Sequence, residues 1–325
     1  MFLAYIFAFL KNAVYGLSVF FTGSLSDSVD VLDILALRFL MSFGVLFILK
    51  QLKIIKVSVK IKELFLISDR RNSIKTLLLT ALFEPVLYML FETLGISMTT
   101  GVTAGVILSL MPIASCISES VILKEGTTLL QKLFLALGIL GVVYIAINTD
   151  TSSGSDSLMG IVFIVLAVAV GSLFLVFSRK SSGHFNAFEV TYASCFVGMV
   201  VFNAVNVVRH LAAGDITSYF KPYFNVDNMI GFIFLAVIST IIATSMNNYA
   251  LGKMQTSTMS AFSGVSTFVT VIVGVVFNNE SIYYFHYIGF ALILIRMFGV
   301  SYISIRKNNV GATCGRPKNT GGQNR

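Results

Sequence analysis

The chain has 325 residues, 56% of them hydrophobic and only 12% charged, with a mean hydropathy of +0.87. About a quarter of the residues in a soluble domain are charged, so this composition excludes an ordinary soluble domain. Three cysteines exclude a disulfide scaffold, and the net charge of +8 does not indicate nucleic-acid binding, because the basic residues flank apolar runs. The sequence predicts an all-α membrane protein.

Apolar runs predict ten transmembrane helices, since a helix needs about 20 mostly apolar residues to cross the bilayer. In chain order, the ten predicted spans are 2–22, 32–50, 76–97, 100–122, 130–148, 158–178, 189–209, 229–250, 255–278 and 284–305. The first run has no basic residue ahead of its apolar core and no A-x-A-like cleavage site, which favours an uncleaved span over a signal peptide.

The basic residues predict the orientation of these spans. With a cytoplasmic amino terminus, 18 of the 23 Lys and Arg residues lie in cytoplasmic connections and two, Arg209 and Lys221, lie outside. Because Lys and Arg accumulate in cytoplasmic connections, we expect both termini in the cytoplasm, in a multi-pass protein of the cell membrane (plasma or inner membrane). The sequence of the connection 50–75 predicts an amphipathic segment along the membrane surface, and the sequence of residues 306–325 predicts a disordered cytoplasmic tail.

Two halves of the chain resemble each other. Three short matches recur at offsets between 155 and 158 residues: Leu94-Gly95 with Leu251-Gly252, Glu125 with Glu280, and Gly141-Val142-Val143-Tyr144-Ile145 with Gly299-Val300-Ser301-Tyr302-Ile303. Five spans per half is an odd number, so the halves are predicted to be inverted, an arrangement that recurs in secondary transporters. We predict a first five-helix repeat at 1–148, an external linker at 149–157 and a second five-helix repeat at 158–305.

The order of these features resembles the EamA family of the drug/metabolite transporter superfamily. The resemblance covers residues 2–305 and rests on Leu37-Arg38-Phe39, Leu94-Gly95, Pro112, Glu125 and Glu280. It implies ten transmembrane helices arranged as two inverted five-helix repeats, a central substrate cavity, and transport or export of small metabolites. The first span departs from the family, which often has a Trp-Gly-Ser-like patch where this chain reads Val14-Tyr15-Gly16-Leu17-Ser18.

Five charged residues lie within the predicted spans, namely Lys11, Arg38, Glu84, Glu92 and Arg296. A charge at the bilayer centre costs about 2.5–3.5 kcal/mol on insertion scales, so each one needs a partner or a wet cavity. Depth along the helices allows Lys11 to pair with Glu84, and Arg38 with Glu92. These charges either line a cavity, where they bind substrate or a proton, or form permanent salt bridges that fix helix packing. Arg296 is interpreted as structural or snorkelling.

Uncharged polar residues form stripes on several predicted helices and complete the candidate cavity. Glu119, by contrast, is expected to reach water at the end of its span. The fifth, sixth and tenth spans carry few polar groups and are expected at the periphery. Pro85 and Pro112 are candidate hinges, with static kinks as the alternative. The uncharged cavity candidates are Tyr15, Tyr88, Asn203, Asn206, Thr244, Asn247, Asn248, Ser263 and Thr267.

Motifs for nucleotide binding, zinc hydrolysis, serine hydrolysis and thiol redox chemistry are missing from the sequence, and the three histidines do not have metal-ligand spacing. We therefore expect neither an enzyme nor a cofactor or metal. The predicted function is a secondary-active or facilitative transporter, an exporter, that moves a small polar, amino-acid-like metabolite by alternating access. Proton coupling and a homodimer remain open, and the alternatives are a lipid-linked flippase subunit, a small-molecule channel and a membrane-embedded enzyme.

Overall fold

The structure, a computed structural model, describes residues 2–57, 71–122, 157–254 and 262–278, with scattered single residues within 130–144, at 259 and within 287–299. This described part of the chain is helical and contains no strand. Most of the predicted fifth and tenth spans, the whole tail and residues 58–70 of the predicted amphipathic segment lie outside the described residues.

The first half of the chain supplies four described spans. The first and second are single helices, α1 (Phe2–Ser26) and α2 (Val31–Gln51). The third consists of α3 (Arg71–Ala81), a π-helical segment (Leu82–Leu87) and α4 (Tyr88–Ile96). The fourth consists of α5 (Gly101–Leu108) and α6 (Met111–Ile122).

The second half begins with the sixth and seventh spans, α7 (Leu158–Ser181) and α8 (Ala187–Ala213). Two 3₁₀ turns (Ile216–Ser218 and Lys221–Phe224) lead into the eighth span. That span consists of α9 (Val226–Ile233), a second π-helical segment (Phe234–Ala243) and α10 (Thr244–Leu251), and α11 (Ser263–Asn278) belongs to the ninth.

Seven helical stretches in the described residues are long and apolar enough to cross a membrane, and Ser263–Phe277 is an eighth, shorter apolar helix. The seven stretches coincide with predicted spans one to four and six to eight: they are Phe2–Ser26, Val31–Gln51, Ile74–Ile96, Thr103–Ile122, Leu158–Ser181, Ala187–Ala213 and Val226–Leu251. The chain is therefore a multi-pass, all-helical membrane protein.

The seventh span extends beyond its predicted limits, 189–209, because both of its ends are capped. Asn186 accepts a hydrogen bond from the Glu189 backbone N–H at 2.9 Å, and the Glu189 carboxylate accepts one from the Asn186 N–H at 2.9 Å. At the other end, Gly214 adopts a left-handed conformation with φ of 72°, which favours glycine. These caps satisfy backbone groups that would otherwise end the helix earlier.

The third and eighth spans are interrupted at matching positions. Within Leu82–Leu87, Glu84 has an extended backbone (φ −135°, ψ 116°) and Pro85 has no N–H to donate. A proline also disfavours helical geometry for the residue before it, so the break is expected at Glu84. Adding the 157-residue offset of Leu94-Gly95 and Leu251-Gly252 places the equivalent stretch of the eighth span at 239–244, which overlaps the π-helical segment Phe234–Ala243.

Contacts between the spans come in matching pairs. The first span packs against the eighth and ninth, as the sixth packs against the third and fourth. The second packs against the eighth, as the seventh packs against the third, and the second and seventh pack against each other. Exchanging spans one to four with spans six to nine reproduces these contacts, which is the pattern expected of two related halves.

The prediction of a peripheral sixth span is wrong. Helix α7 packs against α3, α4, α5 and α6; a Cβ atom at Gly171 would clash with the third and fourth spans, and one at Gly160 would clash with the connection between them. For example, a Cβ at Gly171 would lie 2.8 Å from Tyr88 Cδ2 and 2.8 Å from Met111 Cε. Apolar residues suit both lipid and a neighbouring helix, so the lack of polar groups did not reveal this burial.

A charged cluster joins the start of α2 to the end of α8. Asp33 Oδ1 accepts hydrogen bonds from Asn206 Nδ2 at 2.7 Å and lies 2.9 Å from both Arg209 Nη2 and His210 Nε2. The other ring nitrogen of His210 lies 2.9 Å from Asp215 Oδ1. Beyond the span, hydrogen bonds from Ser218 and His210 hold the pKa of Asp215 below its usual range.

We expect Asp33→Asn to lower the free energy of unfolding by about 1–3 kcal/mol, because it weakens three hydrogen bonds at once. Asp30→Asn is the matched control, since Asp30 is 53% exposed and an asparagine retains its cap on α2, so the expected loss is under about 1 kcal/mol. Thermal unfolding in detergent, followed by a thiol-reactive dye that reports exposure of the buried Cys116 and Cys195, measures both variants. Equal midpoints would contradict the role assigned to Asp33.

Candidate functional site

A central cavity lies among six spans. The empty space within it, including the solvent-filled space at its openings, is about 670 Å³. The third span contributes residues on both sides of its break, and the first and ninth spans contribute polar side chains. The lining residues are Lys11, Asn12, Tyr15, Glu84, Tyr88, Glu92, Leu108, Met111, Gly171, Phe174, Leu175, Asn247, Ser263, Ser266 and Thr267.

Lys11 and Glu84 bring opposite charges into this cavity without touching each other. Both side chains are buried, with exposed fractions of 6% and 5%. In the described part of the chain, no carboxylate oxygen lies within 4.0 Å of Lys11 Nζ, which instead lies 5.0 Å from the centroid of the Tyr15 ring. The two side chains therefore line the same cavity without forming an ion pair with each other.

Three residues that line the cavity have buried polar atoms for which the described part of the chain supplies no hydrogen-bond partner. These atoms are Glu84 Oε2, both Asn247 side-chain atoms (Oδ1 and Nδ2), and Ser263 Oγ. Leaving a buried donor or acceptor unpaired costs about 1–3 kcal/mol, so native proteins rarely do so without a reason. A polar ligand or water in the cavity would supply the missing partners.

The remaining polar groups of the cavity are held in place by hydrogen bonds. The Tyr88 hydroxyl donates to Glu92 Oε1 at 2.6 Å, and Tyr15 Oη and Thr244 Oγ1 share a hydrogen bond of 3.2 Å. Thr267 Oγ1 donates to the Gly105 carbonyl oxygen at 3.2 Å. Tyr15 and Thr267 therefore connect the first half of the chain to the second at the cavity wall.

Arg38 lies outside the cavity lining. Its Nε donates to Thr240 Oγ1 at 2.8 Å and its Nη2 to Ser239 Oγ at 3.3 Å, so it anchors α2 to the π-helical segment of the eighth span. No described carboxylate oxygen lies within 4.0 Å of its guanidinium, and the predicted partner, Glu92, is bonded to Tyr88 instead. Helical depth, on which the pairing was based, says nothing about which way each side chain points around its helix.

Three asparagines among the candidates also lie outside the lining. Asn203 donates to the Ala36 carbonyl oxygen at 3.0 Å, and Asn206 donates to Asp33, so both join α8 to α2. Asn248 accepts from Ser178 Oγ at 2.8 Å and donates to Thr191 Oγ1 at 3.0 Å, which joins α10 to α7 and α8.

A model of the EamA-like transporter family matches the chain twice, at residues 2–147 and at residues 158–302. The chain belongs to the EamA-like transporter family. This confirms the resemblance identified from the sequence, and it makes the protein a membrane transporter.

Two comparisons agree with this assignment to the family. The chain is 32% identical over 304 residues to the uncharacterized transporter YcxC of Bacillus subtilis (strain 168), a match that covers 94% of each protein. A solved structure titled "Crystal structure of protein" superposes with a TM-score of 0.65, covering 94% of this chain and 98% of its own at 13% identity, which shows a shared fold.

Some lining residues of this transporter were not among the predicted candidates. Asn12 follows Lys11 and donates to the Ala8 carbonyl oxygen at 2.6 Å, and its position next to a buried charge was the signal that could have identified it. Gly171, Phe174 and Leu175 form an apolar wall on the sixth span, for which the sequence offers no comparable signal.

The two candidate hinge prolines lie in different surroundings. Pro85 lies at the break of the third span, and Pro112 lies in the first turn of α6, where a proline removes no helical hydrogen bond.

Glu119 does not reach water as expected: it is 4% exposed and forms an ion pair of 2.5 Å with Arg179. Arg179 enters from the sixth span, whose central position was not predicted.

We expect Asn247→Leu to leave the ligand-free protein as stable as the native chain or more stable, because it replaces an unpaired amide with an apolar side chain of similar size. Asn248→Leu is the matched control, since the two asparagines are equally buried, at 1% exposure, and Asn248 has two partners. The control should lose about 1–3 kcal/mol. Thermal unfolding in detergent measures the difference, and an equal loss in both variants would assign Asn247 a structural partner.

Proposed function

We propose that this transporter moves a small, zwitterionic, amino-acid-like metabolite by alternating access, as a secondary-active or facilitative exporter. One observation carries the proposal: the cavity holds two buried ionisable groups of opposite sign, Lys11 and Glu84, and neither has a contact partner of opposite charge among the described residues. Two charges that served only to fix helix packing would be expected to meet in a salt bridge. Their separation leaves room for a ligand between them.

A zwitterion satisfies the groups that the cavity leaves unpaired. Its carboxylate would bind the Lys11 ammonium and its ammonium would bind Glu84, through charge-assisted hydrogen bonds. The Asn247 amide both donates and accepts, and the Ser263 hydroxyl does the same, so either can bind each end of the ligand. The apolar wall at Phe174 and Leu175 would contact the ligand's side chain.

Alternating access is supported by the relation between the two halves. Family matches in both halves and the paired contacts of the described spans favour an inverted repeat of five spans each, ten in all. In such repeats the substrate binds between the halves near discontinuous helices, and one bundle rocks against the other. Here the interrupted third and eighth spans both reach the cavity, through Glu84 and Asn247.

The proposed orientation rests on the distribution of basic residues. With 18 of the 23 Lys and Arg residues on one side, both termini are proposed to be cytoplasmic, in the cell membrane. Helix α1 then enters from the cytoplasm and carries Lys11 toward the middle of the bilayer. An exporter would bind its substrate from that side.

Proton coupling is proposed to use Glu84. A buried, ionised carboxylate without a partner is costly, and either a bound proton or a substrate ammonium removes that cost. Because both occupy the same carboxylate, each would displace the other, which exchanges protons for substrate. The Glu84 backbone lies at the break of the third span, where its angles are not helical.

We expect Glu84→Gln and Lys11→Ala to reduce flux in proteoliposomes by at least about tenfold, because each removes a charge-assisted hydrogen bond to the ligand. Glu189→Gln is the matched control, since Glu189 lies in the capping box of α8 and glutamine preserves that cap. Efflux of labelled amino acids, with nucleosides and drugs as further substrates, gives the measurement. Native flux from both cavity variants would refute the assignment of Lys11 and Glu84.

We expect efflux by the native protein to rise when the medium outside the vesicle is made more acidic than the lumen, because protons entering through Glu84 would drive substrate out. Glu84→Gln cannot bind this proton, so any residual flux should be insensitive to the gradient. Collapsing the gradient with a protonophore is the control. Native flux that ignores the gradient would show facilitated diffusion.

A further inference from the structure

A second space lies on the far side of the cavity from the start of α1. The empty space of this vestibule, including the solvent-filled space at its opening, is about 1740 Å³. The vestibule lies near the carboxyl-terminal end of α1, which is on the predicted external side. Its polar rim carries Ser97, Thr99 and Thr100 from the connection between the third and fourth spans.

Three helices run from the cavity to the vestibule. On α1, Tyr15 lines the cavity and Val19 lines the vestibule. On α11, Thr267 lines the cavity and Thr270 lines the vestibule. The fourth span runs from Leu108 at the cavity to Gly101 at the vestibule. The residues between these levels separate the two spaces.

Four residues join the helices between the two spaces, and we call them the seam: Gly16, Gly105, Thr267 and Thr270. Thr270 Oγ1 donates to the Gly16 carbonyl oxygen at 3.1 Å, and Thr267 Oγ1 donates to the Gly105 carbonyl oxygen at 3.2 Å. The glycines allow the helices to touch: a Cβ at Gly16 would lie 2.6 Å from the Ser266 carbonyl oxygen, and a Cβ at Gly105 would lie 3.1 Å from Thr270 Cγ2.

We propose that this seam is the gate between the cavity and the vestibule. It joins α1 and α5 of the first half to α11 of the second, so it crosses the interface that alternating access must open; in this respect it rests on the proposed function. Its bonds are suited to reversible opening, because hydroxyl–backbone hydrogen bonds and contacts between small residues are weak individually in a membrane.

An apolar cluster borders the opposite end of the cavity. There, Ala4 and Ala8 of α1 pack in an apolar cluster with Phe174, Leu251 and Met254. Helix α1 therefore contributes to both ends of the cavity, at Ala4 and Ala8 on one side of Lys11 and at Gly16 on the other. A tilt of α1 that separates the seam leaves the apolar cluster in contact, so the two ends of the cavity can open in turn.

The test measures access to the cavity and needs no substrate. Leu108→Cys, in a chain whose three native cysteines are replaced by alanine, reports the labelling rate of the cavity by a membrane-impermeant maleimide added on the vestibule side. Gly16→Ala should raise this rate by about tenfold or more, because a Cβ overpacked against backbone prevents the seam from closing. Gly23→Ala, on the same helix, is the control and should leave the rate unchanged, since its Cβ would be 3.9 Å from its nearest neighbour.

Equal labelling rates in the Gly16→Ala and Gly23→Ala variants would overturn the gate. If Gly16→Ala does not fold, Thr270→Val decides: it removes the hydrogen bond to Gly16 without adding bulk, and an unchanged labelling rate would reject the proposal. Flux is measured on the same vesicles. A raised labelling rate without flux of any amino acid supports the gate and rejects the proposed substrate, whereas native amino-acid flux with unchanged labelling rates rejects the gate alone.

Discussion

A polar atom buried in the lipid-embedded part of a protein needs a partner, and among the described residues the cavity lining holds four of the seven buried side-chain atoms that have none. Arg38 is bonded to two hydroxyls and Asn248 to two side chains on neighbouring helices. Glu84, Asn247 and Ser263 keep unpaired atoms. Because each unpaired group costs free energy, the surrounding packing must stabilise an arrangement that the cavity alone would not favour. The concentration of these atoms in the cavity lining supports the proposed binding site, and the other three lie in α8, on Tyr192, Ser194 and Asn206.

Two of the three cavity residues with unpaired atoms lie in or next to the interrupted spans. Glu84 has an extended backbone just before Pro85, and it lines the cavity together with Tyr88 and Glu92. Asn247 lies one turn after the π-helical segment of the eighth span. Irregular backbone at membrane depth is tolerated where it is buried in protein or lines a cavity, and both segments meet this condition.

The sequence predicts the described spans and the buried charges well, because apolar length and the cost of a charge in lipid are strong constraints. Lys11 and Glu84 are found on that ground alone. The sequence does not separate Asn247 from Asn248, because their difference depends on hydroxyls of the sixth and seventh spans, far away along the chain. It also gives Arg38 the wrong neighbour, since depth along a helix does not determine direction around it. The sixth span is misplaced because its apolar faces fit lipid and protein equally well.

Helix α1 connects the proposed binding site to the proposed gate. Lys11 and Tyr15 line the cavity, and Gly16, the next residue, is bonded to Thr270 in the seam. Interhelical hydrogen bonds of this kind average about 0.6 kcal/mol in membranes, whereas a hydrogen bond to a charged group contributes about 1.5–3 kcal/mol. A ligand that binds the Lys11 ammonium in only one position of α1 therefore gains more free energy than the seam's two hydrogen bonds supply. Binding within the cavity can then decide whether the seam is open, without any contact between the ligand and the glycines.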